Sequence, residues 1–276
     1  AYGRWMKNTP PRLYPASLRS ASDVIFLLGV FALLMLRAFQ APGHWDDLSY
    51  HLPLARLFVH HPGLALSEYL RFPYFPANMH LLFGAGLLLS GNLLAQMLAT
   101  LPVFITLIGL AGLSQWLLGS SAWGYIAGAL YITLEPVRQT LGFAYVDYGV
   151  ALFCTAAVFG VVVWQRKGMQ VNCWLFFAGL AAGVAWGIKL LGLVFAAMLG
   201  LVTWVISRKW RAPWIFGLVC AATAGGWYVR SYLLSGDPVH PVGGPLFGFH
   251  LWSLEDLVSQ QGEQARHGVP KLWYNF

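Results

Sequence analysis

Long runs of apolar residues, separated by short polar segments, recur along the whole chain. Seven of them approach or reach the length that an α-helix needs to cross a bilayer. They lie at 24–39, 93–118, 122–134, 148–164, 174–188, 190–206 and 214–232. A further apolar stretch, 78–89, is too short to span and is interpreted as a juxtamembrane half-helix. The pattern predicts an all-α, polytopic membrane protein with about seven transmembrane helices and one half-helix on the outer face.

Composition supports this class, since 58% of the residues are hydrophobic and only 10% are charged. Soluble domains carry about 25% charged residues. The net charge of +7 does not indicate nucleic-acid binding, because the basic residues are scattered or end apolar runs. The three cysteines show neither a disulfide framework nor metal-ligand spacing.

The distribution of charge orients the spans. Basic residues cluster in segment 1–22 and in the short loops at 166–167 and 208–211, and positive loops face the cytoplasm. We therefore expect a cytoplasmic N-terminal segment at 1–22 and a transmembrane module at 23–232. Within the module, 40–91 would form the first periplasmic loop with juxtamembrane helices. Segment 233–276 would be a periplasmic loop or the start of a further part, and we expect the sequence to be a fragment.

The first outer loop concentrates the polar chemistry of the chain. Asp46, Asp47, Tyr50 and His51 lie close together directly after the first span. Polar groups are costly at the lipid boundary and usually functional there, although a solvated acidic turn is an open alternative. The apolar and polar alternation of 52–58 predicts a helix lying in the membrane interface.

Further charges fall at the outer ends of other spans. Lys189 separates two spans with no loop to spare, Arg230 ends the last span, and Arg138 and Asp147 border an outer turn. Lys189 could pair with Asp147 or Asp46, which would be a structural role. Alternatively, Lys189, Arg230 and Arg138 would bind a phosphate, and an outer carboxylate would act as general base on an acceptor hydroxyl.

Small residues mark one helix interface. Gly179, Gly183 and Gly187 recur at intervals of four along one span, which predicts close packing against a neighbouring helix.

Five stretches, in order, resemble bacterial GT-C-type membrane glycosyltransferases, the relatives of the lipid A aminoarabinose transferase and the protein O-mannosyltransferases. They are Trp-Asp-Asp-Leu-Ser-Tyr-His-Leu-Pro at 45–53, Tyr-Phe-Pro-Ala-Asn at 74–78, Ala-Tyr-Val-Asp at 144–147, Gly-Ile-Lys-Leu-Leu-Gly-Leu at 187–193 and the Arg…Gly-Asp-Pro…His-Pro stretch at 230–241. The resemblance covers about residues 24–242. The family pattern often has Asn and Tyr where this chain has Asp237 and His240.

The resemblance implies a polyprenyl-phosphate sugar donor and transfer on the periplasmic face of a bacterial inner membrane. By position, Asp46 would be the catalytic base, and Asp47 would orient it, bind the acceptor or help to hold a divalent ion. Tyr50, His51, Asp147 and His240 would contact substrate, together with Lys189, Arg230 and Arg138. Adjacent acids do not form an Asp-x-Asp motif, so no metal ligand is assigned, and Mg²⁺ or Mn²⁺ stays an open alternative.

Two other functions compete with transfer. The first is a non-catalytic structural subunit of a larger membrane complex that reuses the GT-C scaffold, with packing surface supplied by thirteen tryptophans and the glycine stripe. The second is a transporter or a haem or metal protein that uses the outer histidines. These are His44, His51, His60, His61 and His80. Membrane lipids are partners under every interpretation.

Overall fold

A computed structural model describes residues 21–61, 67, 70, 72–170 and 172–248, with single positions 255, 258, 259, 262 and 266; the side chains of 21–23 are not described. Segment 1–20 and most of 249–276 lie outside this part of the chain, and so do the predictions made for them. All regular elements of the described residues are helical.

Ten α-helices follow one another in the part of the chain that the structure describes. They are α1 (Ala21–Leu36), α2 (Leu52–His60), α3 (Asn78–Leu118), α4 (Ala122–Thr133), α5 (Glu135–Thr140), α6 (Asp147–Arg166), α7 (Asn172–Trp186), α8 (Leu191–Ser207), α9 (Arg211–Ser235) and α10 (Gly244–Phe247). A 3₁₀ turn at Arg37–Phe39 extends α1, and a π-helical turn at Asp47–His51 leads into α2. Every predicted span corresponds to a helix, with ends that move by a few residues.

Three described helices, α3, α6 and α9, are long and apolar enough to cross a membrane. Shorter apolar helical segments lie at Val24–Phe39, α7 and α8. The predicted fold class, an all-α polytopic membrane protein, is confirmed. The sequence did not predict the short helices α5 and α10.

The long helix α3 is broken near its beginning. Ser90 (φ −154°, ψ 22°) and Gly91 (φ 69°, ψ −155°) leave helical geometry. The values at Gly91 belong to a region that residues with a Cβ atom essentially avoid. The break separates the short segment that starts at Asn78 from the spanning part, as the lengths of the apolar runs predicted.

Helix α2 forms where a helix was expected, but its apolar side faces protein. Leu52 and Ala55 pack against Met79 and Phe83 of α3, and Leu54 packs with Trp227 of α9. The predicted helix is therefore present and its apolar side is covered by protein, while its location in the membrane interface stays a prediction. The alternation of polar and apolar residues is the same in both cases, because lipid and protein contacts select the same residue types.

Glycines let α7 approach α9 closely. A Cβ atom on Gly179 would lie 2.9 Å from the carbonyl oxygen of Phe216, and one on Gly183 would lie 2.6 Å from Cβ of Thr223. Helices in membranes associate through such close contacts, because the lipid supplies no hydrophobic drive between them. The predicted packing role of the glycine stripe is confirmed.

Two side-chain amides tie the loops to the helices at one end of the bundle. The Asn78 amide donates to the carbonyl oxygen of Val184 (3.2 Å) and accepts from the Trp227 indole (2.7 Å). The buried Gln96 amide nitrogen lies 3.1 Å from the carbonyl oxygen of Gln40 and 2.6 Å from that of Gly142. Gln96 thus fixes the loop that leads into the acidic segment.

The α7–α9 contact predicts a specific loss of stability. Replacing Gly183 with Leu should lower the free energy of unfolding by about 1–3 kcal/mol, because the added atoms overlap Thr223 and the backbone of α9. Gly217→Leu is the matched control, since a Cβ atom there would meet nothing within 4 Å. Thermal unfolding in detergent measures both; equal melting temperatures for the two variants would contradict the packing role.

Candidate functional site

The segment after α1 bends through a π-helical turn that carries most of the predicted site. The Leu52 amide donates to the carbonyl oxygen of Asp47, five residues earlier, and Pro53 follows with no N–H to continue a regular pattern. Asp47 and His51 are buried, whereas Asp46 and Tyr50 are partly exposed. Single π-turns of this kind often occur at functional sites.

Asp46 lies beside the phenol of Tyr50. The pKa of Tyr50 is raised above its ordinary value, mainly by burial and further by the charges of Asp46 and Asp147, and its hydroxyl is within hydrogen-bonding reach of the Asp46 carboxylate. Burial and the same carboxylates, joined by that of Asp47, raise the pKa of Tyr145 to about 12. Both phenols therefore keep their protons near neutral pH. The Tyr50 hydroxyl can donate to the Asp46 carboxylate, whereas the Tyr145 hydroxyl accepts from the Asp46 backbone amide.

Asp47 is held differently, although it is the next residue. Its side chain is 0% exposed, and neither carboxylate oxygen has a hydrogen-bond partner of good geometry in the described part of the chain. Burial raises its pKa, and the backbone amide of Gly43 and the nearby His44 oppose the rise. Asp47 is closed off from solvent, so of the two acids only Asp46 can meet a substrate without rearrangement.

Lys189 and Asp147 form an ion pair across the end of the bundle. Nζ of Lys189 lies 2.7 Å from Oδ1 of Asp147, and the two side chains are 38% and 49% exposed. Lys189 projects from the turn between α7 and α8. In this turn the carbonyl oxygen of Gly187 accepts a 3.0 Å hydrogen bond from the backbone N–H of Asn78. The predicted pairing with an acid therefore occurs, and it leaves the ammonium group accessible.

Two buried histidines meet next to this pair. Nδ1 of His51 lies 2.8 Å from Nε2 of His80, with 1% and 3% of the two residues exposed. The pKa of His51 is held well below its ordinary value, first by burial and then by the neighbouring His80 and Lys189. At neutral pH His51 is uncharged, and one ring donates a proton to the other.

Arg230 occupies a neighbouring aromatic recess. Its Nη1 donates to the carbonyl oxygen of Pro73 at 3.2 Å. The guanidinium carbon lies 6.0 Å from the ring centre of Phe58 and 5.9 Å from that of Trp227. Cation–π contacts of this kind hold a guanidinium group without using all of its N–H donors.

A small pocket lies on the other side of Trp227. It has room for about one water molecule. Tyr74, Tyr228, Ser231 and His240 contribute to its wall. The His240 ring is buried and packs edge-on against Tyr74 at 4.8 Å, so the predicted residue His240 lies near Arg230 rather than near Asp46.

Arg138 lies apart from these groups. It forms an ion pair with Glu135 in the exposed helix α5, with 2.7 Å between Nη2 and Oε2. The hydrogen bonds from Arg138 lower the pKa of Glu135. No hydrogen bond or ion pair among the described residues joins Arg138 to Asp147 or Lys189, so its role in phosphate binding stays a prediction.

The structure thus brings Asp46, Tyr50, His51, Asp147 and Lys189 to one end of the bundle, with Arg230 and His240 in the adjoining recess. The sequence analysis assigned no individual role to His80, Tyr145 or Asn78. His80 was counted among the outer histidines, and Tyr145 and Asn78 were part of stretches that resemble GT-C-type enzymes. Polar residues at the start of the apolar half-helix were the available signal for His80 and Asn78. The described residues include no group of three potential metal ligands.

Comparison of the sequence with known proteins gives partial matches. No family model matches the chain. An uncharacterized protein of Shigella flexneri is 43% identical over 131 residues, which are 48% of this chain and 66% of that protein. A second uncharacterized protein of Shigella flexneri is 54% identical over 67 residues, 24% of this chain and 37% of that protein. The chain therefore spans just under two thirds of one curated relative and about a third of the other.

Comparison of the fold gives a broader match. The crystal structure of ArnT from Cupriavidus metallidurans bound to undecaprenyl phosphate is similar with a TM-score of 0.64. The match covers 83% of this chain and 44% of that chain at 15% identity. At this identity the likeness concerns the fold, and it shows that the chain has a GT-C-like architecture.

The buried histidine pair predicts a loss of stability in mild acid. The folded-state pKa of His51 is lowered, so the unfolded chain binds more protons than the folded one below the ordinary histidine pKa of about 6.5. Stability should be retained above this pH and fall, by up to about 1.4 kcal/mol per pH unit from this residue, as the pH drops below it. His51→Gln should flatten the dependence, and the exposed control His60→Gln should not. Melting temperatures between pH 5 and 8 test this, and equal slopes for the two variants would contradict it.

Proposed function

We propose that the chain is the transmembrane module of a glycosyltransferase that transfers a sugar from a polyprenyl-phosphate donor to an acceptor. Asp46 is the general base, and Lys189 and Arg230 bind the phosphate of the lipid. The observation that carries the proposal is the accessible Lys189–Asp147 pair beside Asp46, at one end of a GT-C-like bundle. The similar ArnT structure, which was solved with undecaprenyl phosphate, supports this class of donor.

The charges at this end fit the bond changes of the reaction. The acceptor oxygen attacks the anomeric carbon, the bond between that carbon and the phosphate oxygen breaks, and Asp46 takes the acceptor proton. The donor phosphate changes from a diester with one negative charge to a monoester that carries a second one as it leaves. Cations fixed in place beforehand stabilise this developing charge more than they stabilise the bound donor.

Lys189 is prepared for this task by Asp147. The carboxylate binds the ammonium group at 2.7 Å, which offsets its positive charge at the lipid boundary and leaves two N–H donors for phosphate oxygens. The Arg230 guanidinium, braced by two aromatic rings, would add donors in a fixed plane that suits phosphate oxygens.

Asp46 fits the role of base better than Asp47 does. It is partly exposed, and the Tyr50 hydroxyl lies beside it as a donor that orients the carboxylate. Asp47, fully buried, would shape the turn. Tyr50, His51, Arg138 and His240 remain proposed substrate contacts. Asp46 is partly exposed and Asp47 is buried, so the two carboxylates do not chelate one ion together. The described residues contain no group of three potential metal ligands, and the proposed mechanism assigns no step to a divalent cation.

The face on which transfer occurs follows from charge. Asp46, Asp47, Glu135, Asp147 and Asp237 lie at the end of the bundle with Lys189. The basic loops at 166–167 and 208–211 lie at the other end, where Asp23 is the acid at the start of α1. Because basic loops stay in the cytoplasm, the proposed site faces the periplasm of a bacterial inner membrane.

Removing the proposed base should abolish transfer without abolishing donor binding. We expect Asp46→Asn to lower kcat by about 10²-fold or more, since general-base catalysis contributes factors of this size. The exposed acid Glu255 provides the control variant Glu255→Gln. Two measurements separate these effects. One is sugar transfer from a panel of undecaprenyl-phosphate sugars by the purified chain in membranes, and the other is the binding of undecaprenyl phosphate. Normal transfer by Asp46→Asn would contradict the mechanism, and binding without transfer by the wild type would favour the structural-subunit alternative.

Removing either proposed phosphate ligand should weaken donor binding. Lys189→Ala and Arg230→Ala should each raise the Kd for undecaprenyl phosphate about 10- to 100-fold, because each removes charge-assisted hydrogen bonds. Arg56→Ala is the matched control, since Arg56 is an exposed cation at the same end that donates to Asn92 at 2.9 Å. Equal Kd values for the wild type and both variants would refute the assignment of these two residues.

A further inference from the structure

At the end of the bundle opposite Lys189, two interhelical loops lie side by side. The first joins α6 to α7, and the second joins α8 to α9. Trp164, Leu175 and Ala212, which border these loops, share one hydrophobic core cluster, and Ile206 at the end of α8 packs against it. The two loops therefore form one surface, here called the basic end, which consists of 165–170, Asn172 to Trp174 and 207–214.

The basic end carries only positive charge. It exposes two cations in the first loop and three in the second, namely Arg166, Lys167, Arg208, Lys209 and Arg211. The sequence places no acid within 165–174 or 207–214, and none of these five residues forms an ion pair with a described residue. Helices α7 and α9 also begin here, so the positive ends of their dipoles add to the potential.

Indole rings support several of these cations. The Arg166 guanidinium carbon lies 5.7 Å from the ring centre of Trp116, and Nζ of Lys167 lies 6.0 Å from that of Trp174. In the other loop Trp204 and Trp210 stack at 4.8 Å. Tryptophan prefers the headgroup level of a bilayer, so these rings hold the cations at the depth where lipid phosphates lie.

The backbone of both loops is fixed by hydrogen bonds. The Met169 amide donates to the carbonyl oxygen of Trp164 at 3.0 Å, and the Arg208 amide donates to that of Trp204 at 2.7 Å. Met169 (φ 61°) and Arg208 (φ 57°) adopt the left-handed conformation that closes a helix end. Because the loops are already ordered, a ligand would not need to order them on binding.

We propose that the basic end binds the headgroup of an anionic phospholipid. A phosphodiester without a compensating ammonium group matches five cations with no acidic neighbour, and clusters of four to eight cations next to membrane spans typically bind such lipids. The acyl chains would lie along the exposed apolar face of α8 and α9 beside the headgroup. This face includes Val202, Val205, Trp214 and Leu218. A zwitterionic lipid would place its own ammonium group among the cations, so it would bind more weakly.

The test compares two lipids with identical acyl chains on the purified chain in detergent. Native mass spectrometry gives the Kd for phosphatidylglycerol and for phosphatidylcholine. The wild type should bind phosphatidylglycerol on the order of tenfold more tightly. The fourfold variant Arg166→Gln/Lys167→Gln/Lys209→Gln/Arg211→Gln should lose this preference. The control variant Arg37→Gln/Arg56→Gln, which removes two exposed cations from the other end of the bundle, should keep it.

Two results would overturn the proposal. One is equal affinity of the wild type for both lipids, which would leave the five cations as determinants of topology alone. The other is an unchanged preference in the fourfold variant. If the fourfold variant does not fold, the double variant Lys167→Gln/Lys209→Gln replaces it. A preference of the wild type for phosphatidylglycerol that does not weaken as the salt concentration rises from 50 to about 500 mM would count equally against the proposal.

Discussion

The amide of Asn78 positions the turn on which the candidate site depends. At the start of α3 it accepts from the Trp227 indole of α9 and donates to Val184 of α7, while its backbone N–H binds the carbonyl oxygen of Gly187. A Cβ atom on Gly187 would collide with this amide. Three helices are thus fixed relative to one another where Lys189 leaves α7. A lysine at the lipid boundary requires such placement, because its charge must remain close to Asp147.

The Lys189–Asp147 pair is too exposed to be explained by stability. With more than a third of each side chain accessible, a pair of this kind contributes about 0–1 kcal/mol. An apolar pair at the same place would avoid the cost of charges next to lipid. The structural role that the sequence left open, pairing of Lys189 with an acid, is therefore compatible with the proposed phosphate binding. Asp147 takes one N–H donor of the ammonium group, and an anion can accept from the others.

The apolar pattern predicted the positions of the helices well, and three of those described are long and apolar enough to cross a membrane. The half-helix at 78–89 followed from the length that a span requires. Pairings between distant residues could not be predicted in this way, since His51 and His80 are 29 positions apart and nothing local selects one histidine among eight. The difference in burial between Asp46 and Asp47 could not be predicted from the sequence either. It depends on a π-turn before Pro53, and adjacent acids look alike in a sequence. Likewise, the apolar residues of α2 fit lipid and protein equally well.

Buried polar groups near the candidate site support the proposal of a catalytic or binding centre. Within the described residues, the outer ring nitrogens of His51 and His80 lack hydrogen-bond partners, and the buried Asp47 carboxylate receives only poorly aligned backbone amides such as that of Gly43. Each unsatisfied group costs about 1–3 kcal/mol, and apolar residues of similar volume would remove that cost. In a purely structural subunit, mutation would be free to replace them. These groups lie within one π-turn and the helix packed against it, beside Asp46 and Lys189, where the proposed site would need side chains held in a fixed geometry.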